Sequence, residues 1–176
     1  MKTFAALILA SLSLLATSCA HFEPALAPEA KPKPGTAVLY GRFVIGDNFA
    51  YKNKLALWLK NEDTGHSLYI YFDHDEPLYG IRVKPGHYRI AGYAALERSH
   101  EIKHREPTTQ PTQIFAVPAG REVYLGDFTG VVSWDGAIFT WGITGLTNQF
   151  TATTIEFRQK CPHFANWRAI SRLGPE

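Results

Sequence analysis

Sulfur is scarce in this chain, with two cysteines and one methionine among 176 residues. So few cysteines cannot build the disulfide framework of a small secreted scaffold, and no Cys/His spacing of a zinc site occurs. A surplus of one charge is also missing. Lys and Arg number 18 against 16 Asp and Glu, for a formal net charge of +2. That balance argues against nucleic acid as the main partner, because phosphate binding needs a basic excess. No glycine-rich phosphate loop and no G-x-S-x-G elbow is present. Long helical patterns are few. Turn residues and aromatics are plentiful instead, with 14 Gly, 11 Pro and 13% Phe, Trp and Tyr. This composition predicts a β-rich domain.

The chain opens MKTFAALILASLSLLATSCA. Lys2 supplies a positive start, and the apolar run over 4–16 is too short to span a bilayer, so it reads as a secretory signal. Ala16, Thr17 and Ser18 before Cys19 resemble the bacterial lipobox, in which the cysteine becomes the acylated N-terminus; alanine stands where leucine is commoner. That resemblance implies acyl chains such as palmitate on Cys19, which would hold the protein to the membrane by about 0.8 kcal/mol per buried methylene. Ala20 follows, not the aspartate that retains such proteins at the inner membrane, so the expectation is an outer-membrane protein facing the periplasm. The other reading is an ordinary signal peptide with a chance cysteine.

Residues 1–18 are then the signal, and 19–35, rich in Pro and Ala, read as a tether that cannot build a core. The domain spans 36–176, a length that suits one core. Strands are expected over 37–45 and in KLALWLKN, where Leu55, Leu57 and Leu59 share one face and Ala56 and Trp58 the other. The turn N-E-D-T-G, with Gly65 at positive φ, leads into HSLYIYFD, making a hairpin. A further strand is expected over 79–84.

Two segments run alike, VKPGHYRI at 83–90 and VPAGREVYL at 117–125. Pro85 and Gly86 fit the centre of a type II turn, and Pro118 and Gly120 make a similar turn, so each segment is expected to be a β-hairpin. Residues 97–111 lack any period and read as a long exposed loop. Asp135–Gly136 is a strong hairpin signal. In the C-terminal part, Asn148 as N-cap and the stripe Phe150, Thr154, Phe157, Cys161 predict a helix over 149–160 stopped by Pro162, although TATTIEF also alternates like a strand. Trp167 and Ile170 then pack a short terminal element onto the domain. Once the anchor takes Cys19, Cys161 is unpaired and is expected to be buried and inert, an intermolecular disulfide being the alternative.

The N-x-x-T-G turn (Asn61, Thr64, Gly65), the V-x-P-G-x-Y-x-I segment (Val83 to Ile90) and the V-x-x-G-x-x-x-Y-L-G-D segment (Val117 to Asp127) resemble poorly characterised bacterial lipoproteins. Their domain is similar to the transthyretin-type, carboxypeptidase-regulatory-like β-sandwich. The resemblance implies a mainly β protein, a single antiparallel, prealbumin-like β-sandwich of seven to eight strands with a C-terminal helix. It implies no activity, because function does not follow from a fold.

Candidates for chemistry are few. Asp73, His74, Asp75 and Glu76 are adjacent, but adjacent residues rarely converge on one metal, and a solvated turn is the simpler reading. The string His100, Glu101, Ile102, Lys103, His104 satisfies H-E-x-x-H, yet a zincin needs it in a buried helix, and charges flank it here. Trp58, Tyr69, Tyr71, Trp134 and Trp141 exceed the needs of one core face; they either fill the domain or bind glycans or an envelope protein. Two functions remain open. One is a membrane-anchored, non-enzymatic binding or assembly module with no cofactor. The other is a zinc-dependent hydrolase using His100, Glu101 and His104. The structural turns Gly65, Pro85, Gly86, Gly120 and Gly136 complete the residues singled out.

Overall fold

The computed structural model describes residues 21–22, 24–45, 54–71, 75–96, 102–105, 113–134 and 139–174. The described residues are mainly β with one α-helix. Strand β2 (Ala37–Ile45) explains why its sequence is almost wholly apolar. Ala37, Leu39, Phe43 and Ile45 enter the main core, while Val38 and Tyr40 enter a second cluster under the helix, so both faces are covered over the first half of the strand. In β3 (Lys54–Asn61), by contrast, Leu55, Leu57 and Leu59 face the main core, and Ala56 and Trp58 join a small cluster with Tyr69 on the other face.

Two sheets contribute to that core. In the first, β1 (His21–Phe22), β4 (Ser67–Tyr71), β3, β6 (Gly86–Leu96) and β7 (Ile102–Arg105) lie in that order, and β8 (Phe115–Val117) also pairs with β6. In the second the order is β10 (Phe139–Thr147), β9 (Arg121–Trp134), β2, β5 (Leu78–Val83), with β11 (Arg168–Ser171) also on β9. The second sheet is mixed, since β9 runs parallel to both β2 and β11. The expectation of a purely antiparallel arrangement is corrected on this point. A β2–β9 pair so distant in sequence is free to run parallel, and local patterning does not report its direction.

The β3–β4 hairpin and its turn are as expected: the strands pair antiparallel, and Gly65 takes a φ of 72°. Strands β9 and β10 also pair antiparallel, although the Asp135–Gly136 turn lies outside the described residues. The two Val-Pro-Gly segments differ from expectation. Strand β5 pairs with β2 while β6 pairs with β3, and β8 pairs with β6 while β9 pairs with β2. Each segment therefore carries the chain from one sheet to the other and is no hairpin. Gly86 has a φ of 155°, not the roughly 80° of a type II turn. Gly120, at 67°, does occupy the left-handed region.

Helix α1 (Phe150–Lys160) lies on the outer face of the second sheet and buries Thr153, Thr154 and Phe157. Its N-cap is Gln149, without a side-chain cap bond, so Asn148 does not cap it. The Asn148 amide instead reaches Gly174 O at 3.5 Å. A 3-10 turn at Pro162–Phe164 ends the helix, as the proline predicts.

Two further expectations are corrected. The second half of the 19–35 tether docks on the domain: Leu26 is 9% exposed within the second cluster, its amide donates to Gly80 O at 2.7 Å, and Arg82 donates to Lys31 O at 2.6 Å. Proline removes donors but does not prevent one leucine from filling a gap between helix and sheet. Residues 102–105 within the expected loop form β7, which pairs with β6. Four of the five aromatics singled out do fill the domain, one of the two readings above: Trp141 belongs to the main core, Tyr69 is buried, and Trp58 and Tyr71 are half-buried.

Candidate functional site

The densest polar arrangement lies where α1 crosses the second sheet. Glu122 on β9 points outward beneath the helix and is 0% exposed. Arg158 meets it from α1, donating through Nε at 3.0 Å and Nη2 at 2.8 Å to Oε2, and donates also to Trp167 O at 2.6 Å. Oε1 is buried without a hydrogen-bond partner among the described residues. Burial pushes the Glu122 carboxyl above the usual glutamate range, and the Arg158 bonds offset this only in part.

One helical turn toward the N-terminus, Asp127 accepts from the Tyr124 hydroxyl at 2.8 Å and from Thr153 at 2.9 and 3.0 Å. The same Tyr124 oxygen accepts from Gln149 N at 3.0 Å. Arg42 pairs with Glu156 and lies 3.8 Å from Asp127. Tyr40 and Thr154 share a hydrogen bond of 2.5 Å. Burial raises the hydroxyl pKa of both tyrosines well beyond the ordinary tyrosine range. These groups therefore stay protonated at neutral pH, and their hydrogen bonds fix the helix to the sheet.

Above this seam a groove of about 480 Å³ opens between α1 and β11, lined by residues including Phe150, Ile155, Trp167 and Arg168. Ile155 is 54% exposed. Cys161 closes the far end of the helix. It is buried, its thiol is pushed up by desolvation, and Sγ lies 3.8 Å from Ala27 O. That matches the expected burial of the cysteine, and desolvation disfavours the thiolate that nucleophilic work requires.

At the other sequence-predicted positions, the Asn61 turn and the Gly86 segment meet. Asn61 Oδ1 accepts from Asp63 N and Thr64 N, both at 3.0 Å. Asp63 accepts from His87 N at 2.8 Å, and the His87 ring is 3.1 Å away. These bonds hold the Asp63 carboxyl below its usual range. The Asn61 turn and the Gly86 segment are thus joined as one structural corner. His104 sits on β7 opposite Ala94, in extended backbone and not on a helix. Cys19, His100, Glu101, Asp73, His74 and Gly136 lie outside the described residues. Among the described residues no group of three metal-binding side chains occurs. Sequence reasoning missed the roles of Glu122 and Arg158; the available signal was a carboxylate directly ahead of the apolar run Val123-Tyr124-Leu125 of β9.

No family model and no curated protein matches this chain. Among solved structures it is similar to a leucine-rich repeat protein from Bacteroides thetaiotaomicron, at 12% identity and a TM-score of 0.36. The match covers 58% of this chain and 12% of that one, a small fraction of its length. A likeness of this size carries no argument about fold or function.

Proposed function

We propose that this protein is a lipid-anchored, non-enzymatic module of the bacterial cell envelope, a prealbumin-like β-sandwich that binds or assembles envelope components, proteins or glycans. The observation that carries the reading is the short apolar leader ending in Ala16-Thr17-Ser18-Cys19. The attachment is at Cys19, in the outer membrane and facing the periplasm. Two features support a structural role for the polar residues: Glu122 and Asp127 are both engaged in holding α1, and the Asp63–His87 corner joins two turns. The hydrolase reading gains nothing from His104, because it lies in a strand, where positions four apart share a face but stand roughly 13 Å apart, against about 6 Å on a helix.

The test is the mass of the N-terminal peptide of detergent-extracted protein. Acylated Cys19 as the first residue is expected; an unmodified Cys19, or cleavage elsewhere, contradicts the anchor. Metal content of protein purified without added zinc, compared with His104→Ala, tests the second clause. Stoichiometric zinc lost in the variant would overturn the non-enzymatic reading.

A further inference from the structure

We infer that the end of the protein carrying the β3–β4 turn and the two Val-Pro-Gly crossovers faces the bilayer, and that its ligand is a surface of anionic phospholipid headgroups. The inference rests on the Cys19 anchor proposed above. Two observations converge on the same end of the fold.

The first is the direction of β1. It runs parallel to β4, with His21 opposite Leu68 and Phe22 opposite Tyr69. Leu68 lies near the start of β4, next to the turn. His21, the first residue of β1, therefore stands at the turn end of β4. Cys19 stands two positions earlier in the sequence, a reach of at most about 7 Å at 3.3–3.6 Å per residue. With so short a lead, an acylated Cys19 holds this end of the first sheet at the membrane surface.

The second is charge. The ladders bring Asn61 opposite Tyr88, Gly86 opposite Val117, Ala37 opposite Val83 and Arg121 opposite Arg168, so all these positions share one end. Lys33 joins them, since its carbonyl accepts from Thr36 N at 3.2 Å, and Thr36 O accepts from Gly120 N. Lys31 lies beside Arg82. Lys31, Lys33, Lys84 and Arg168 are exposed and Arg121 partly so. None of their side chains forms an ion pair among the described residues. The acids at this end are already engaged: Glu62 by Arg89 at 2.5 Å and Asp63 by His87 at 3.1 Å. Along 24–36 only Glu29 opposes the lysines. Five cations that form no ion pair among the described residues thus share the end of the fold where β1 begins. A lipid chain paired with a basic surface is a two-signal attachment, in which each cation strengthens binding about fivefold.

The experiment uses the lipidated protein reconstituted into vesicles of phosphatidylcholine with or without phosphatidylglycerol. Nitroxide labels are placed at Thr64→Cys, on the turn, and at Ile155→Cys, on the exposed face of the helix; Cys161 is buried and does not compete. In anionic vesicles the Thr64 label should lose access to a water-soluble relaxation agent severalfold and regain it in high salt, while the Ile155 label should not change. Lys84→Glu combined with Arg168→Glu should abolish that protection with the melting temperature unchanged. Equal access at both positions, or equal protection in purely zwitterionic vesicles, overturns the inference. So does loss of protection on adding inorganic phosphate but not chloride of equal ionic strength, which would indicate a site for free phosphate. Peptide mass reports separately whether Cys19 is acylated. If it is not, the anchor reading fails, and cosedimentation of that same protein still decides the basic end: about tenfold or greater preference for anionic vesicles supports it, and no preference overturns it.

Discussion

Gly86 stands opposite Val117 in the β6–β8 ladder, so the glycine of the first Val-Pro-Gly segment pairs with the valine of the second. The two segments resemble each other because each solves the same problem, moving the chain between sheets at one shared end. Their traffic is opposite in sense: β5 to β6 enters the first sheet, and β8 to β9 leaves it. The space at Gly86 is closed on its other side by the Asn61 turn. A Cβ there would stand 2.8 Å from Asp63 Oδ2 and 2.9 Å from Asn61 Nδ2.

Gly86→Val should therefore destabilise the domain strongly. The strain of an unfavourable φ costs about 1–3 kcal/mol, and displacing the Asn61–Asp63 corner adds to it. A melting temperature lowered by several degrees or more is expected, against no change for Glu101→Ala. Equal melting of the two variants contradicts the assignment of this corner.

Most strands, the β3–β4 turn and the helix with its proline stop were legible because each rests on local periodicity; β1 and β7, too short for a period, fell in the expected tether and loop. Leu55, Leu57 and Leu59 announce one buried face within a single strand. The sheet that each arm of a Val-Pro-Gly turn joins was not legible, since that depends on β2 and β9 meeting across some eighty residues of sequence. Leu26 gave no periodic signal at all, being one apolar residue among prolines. The Glu122–Arg158 pair was visible only as an out-of-place carboxylate, and its partner came from a helix face that the β9 sequence does not mention.

Arg158→Ala should destabilise more than Glu122→Gln. Removing the guanidinium leaves a buried carboxylate unpaired, a cost of about 3 kcal/mol, set at the low end because Arg158 is 31% exposed. The pH dependence has a definite sign. Burial raises the Glu122 pKa in the folded state, so the folded protein keeps a proton that the unfolded chain has released. This contribution is fully present below the unfolded value and is lost as pH rises through the raised folded value. The melting temperature of the wild type relative to Glu122→Gln should fall across that window. A constant difference contradicts the buried-carboxylate account.

Leu26→Ala should lower stability by about 2 kcal/mol, near the lower bound for a buried leucine, because the site lies at the edge of the second cluster. Chemical denaturation measures it. An effect within about 0.5 kcal/mol, the range of ordinary surface substitutions, means that residues 24–36 do not dock as described.

The Cys161 thiol should resist a water-soluble thiol reagent in the native state and react only as the protein unfolds, because burial both shields it and disfavours the thiolate. Rapid native-state labelling at Cys161, or a Cys161-linked dimer on non-reducing gels, contradicts its burial under Ala27.

Membrane attachment through Cys19 is tested most directly by replacing residues 1–19 with an ordinary secretory signal and leaving Ala20 onward intact, which retains Leu26 and β1. The wild type should stay with the membrane fraction in high salt. The swapped protein should be folded and soluble in the periplasmic fraction, with any residual membrane association removed by salt, since exposed charges are screened beyond about 10 Å at 0.1 M. If the swapped protein still pellets with membranes in high salt, the domain carries its own apolar docking surface and the Cys19 account is wrong.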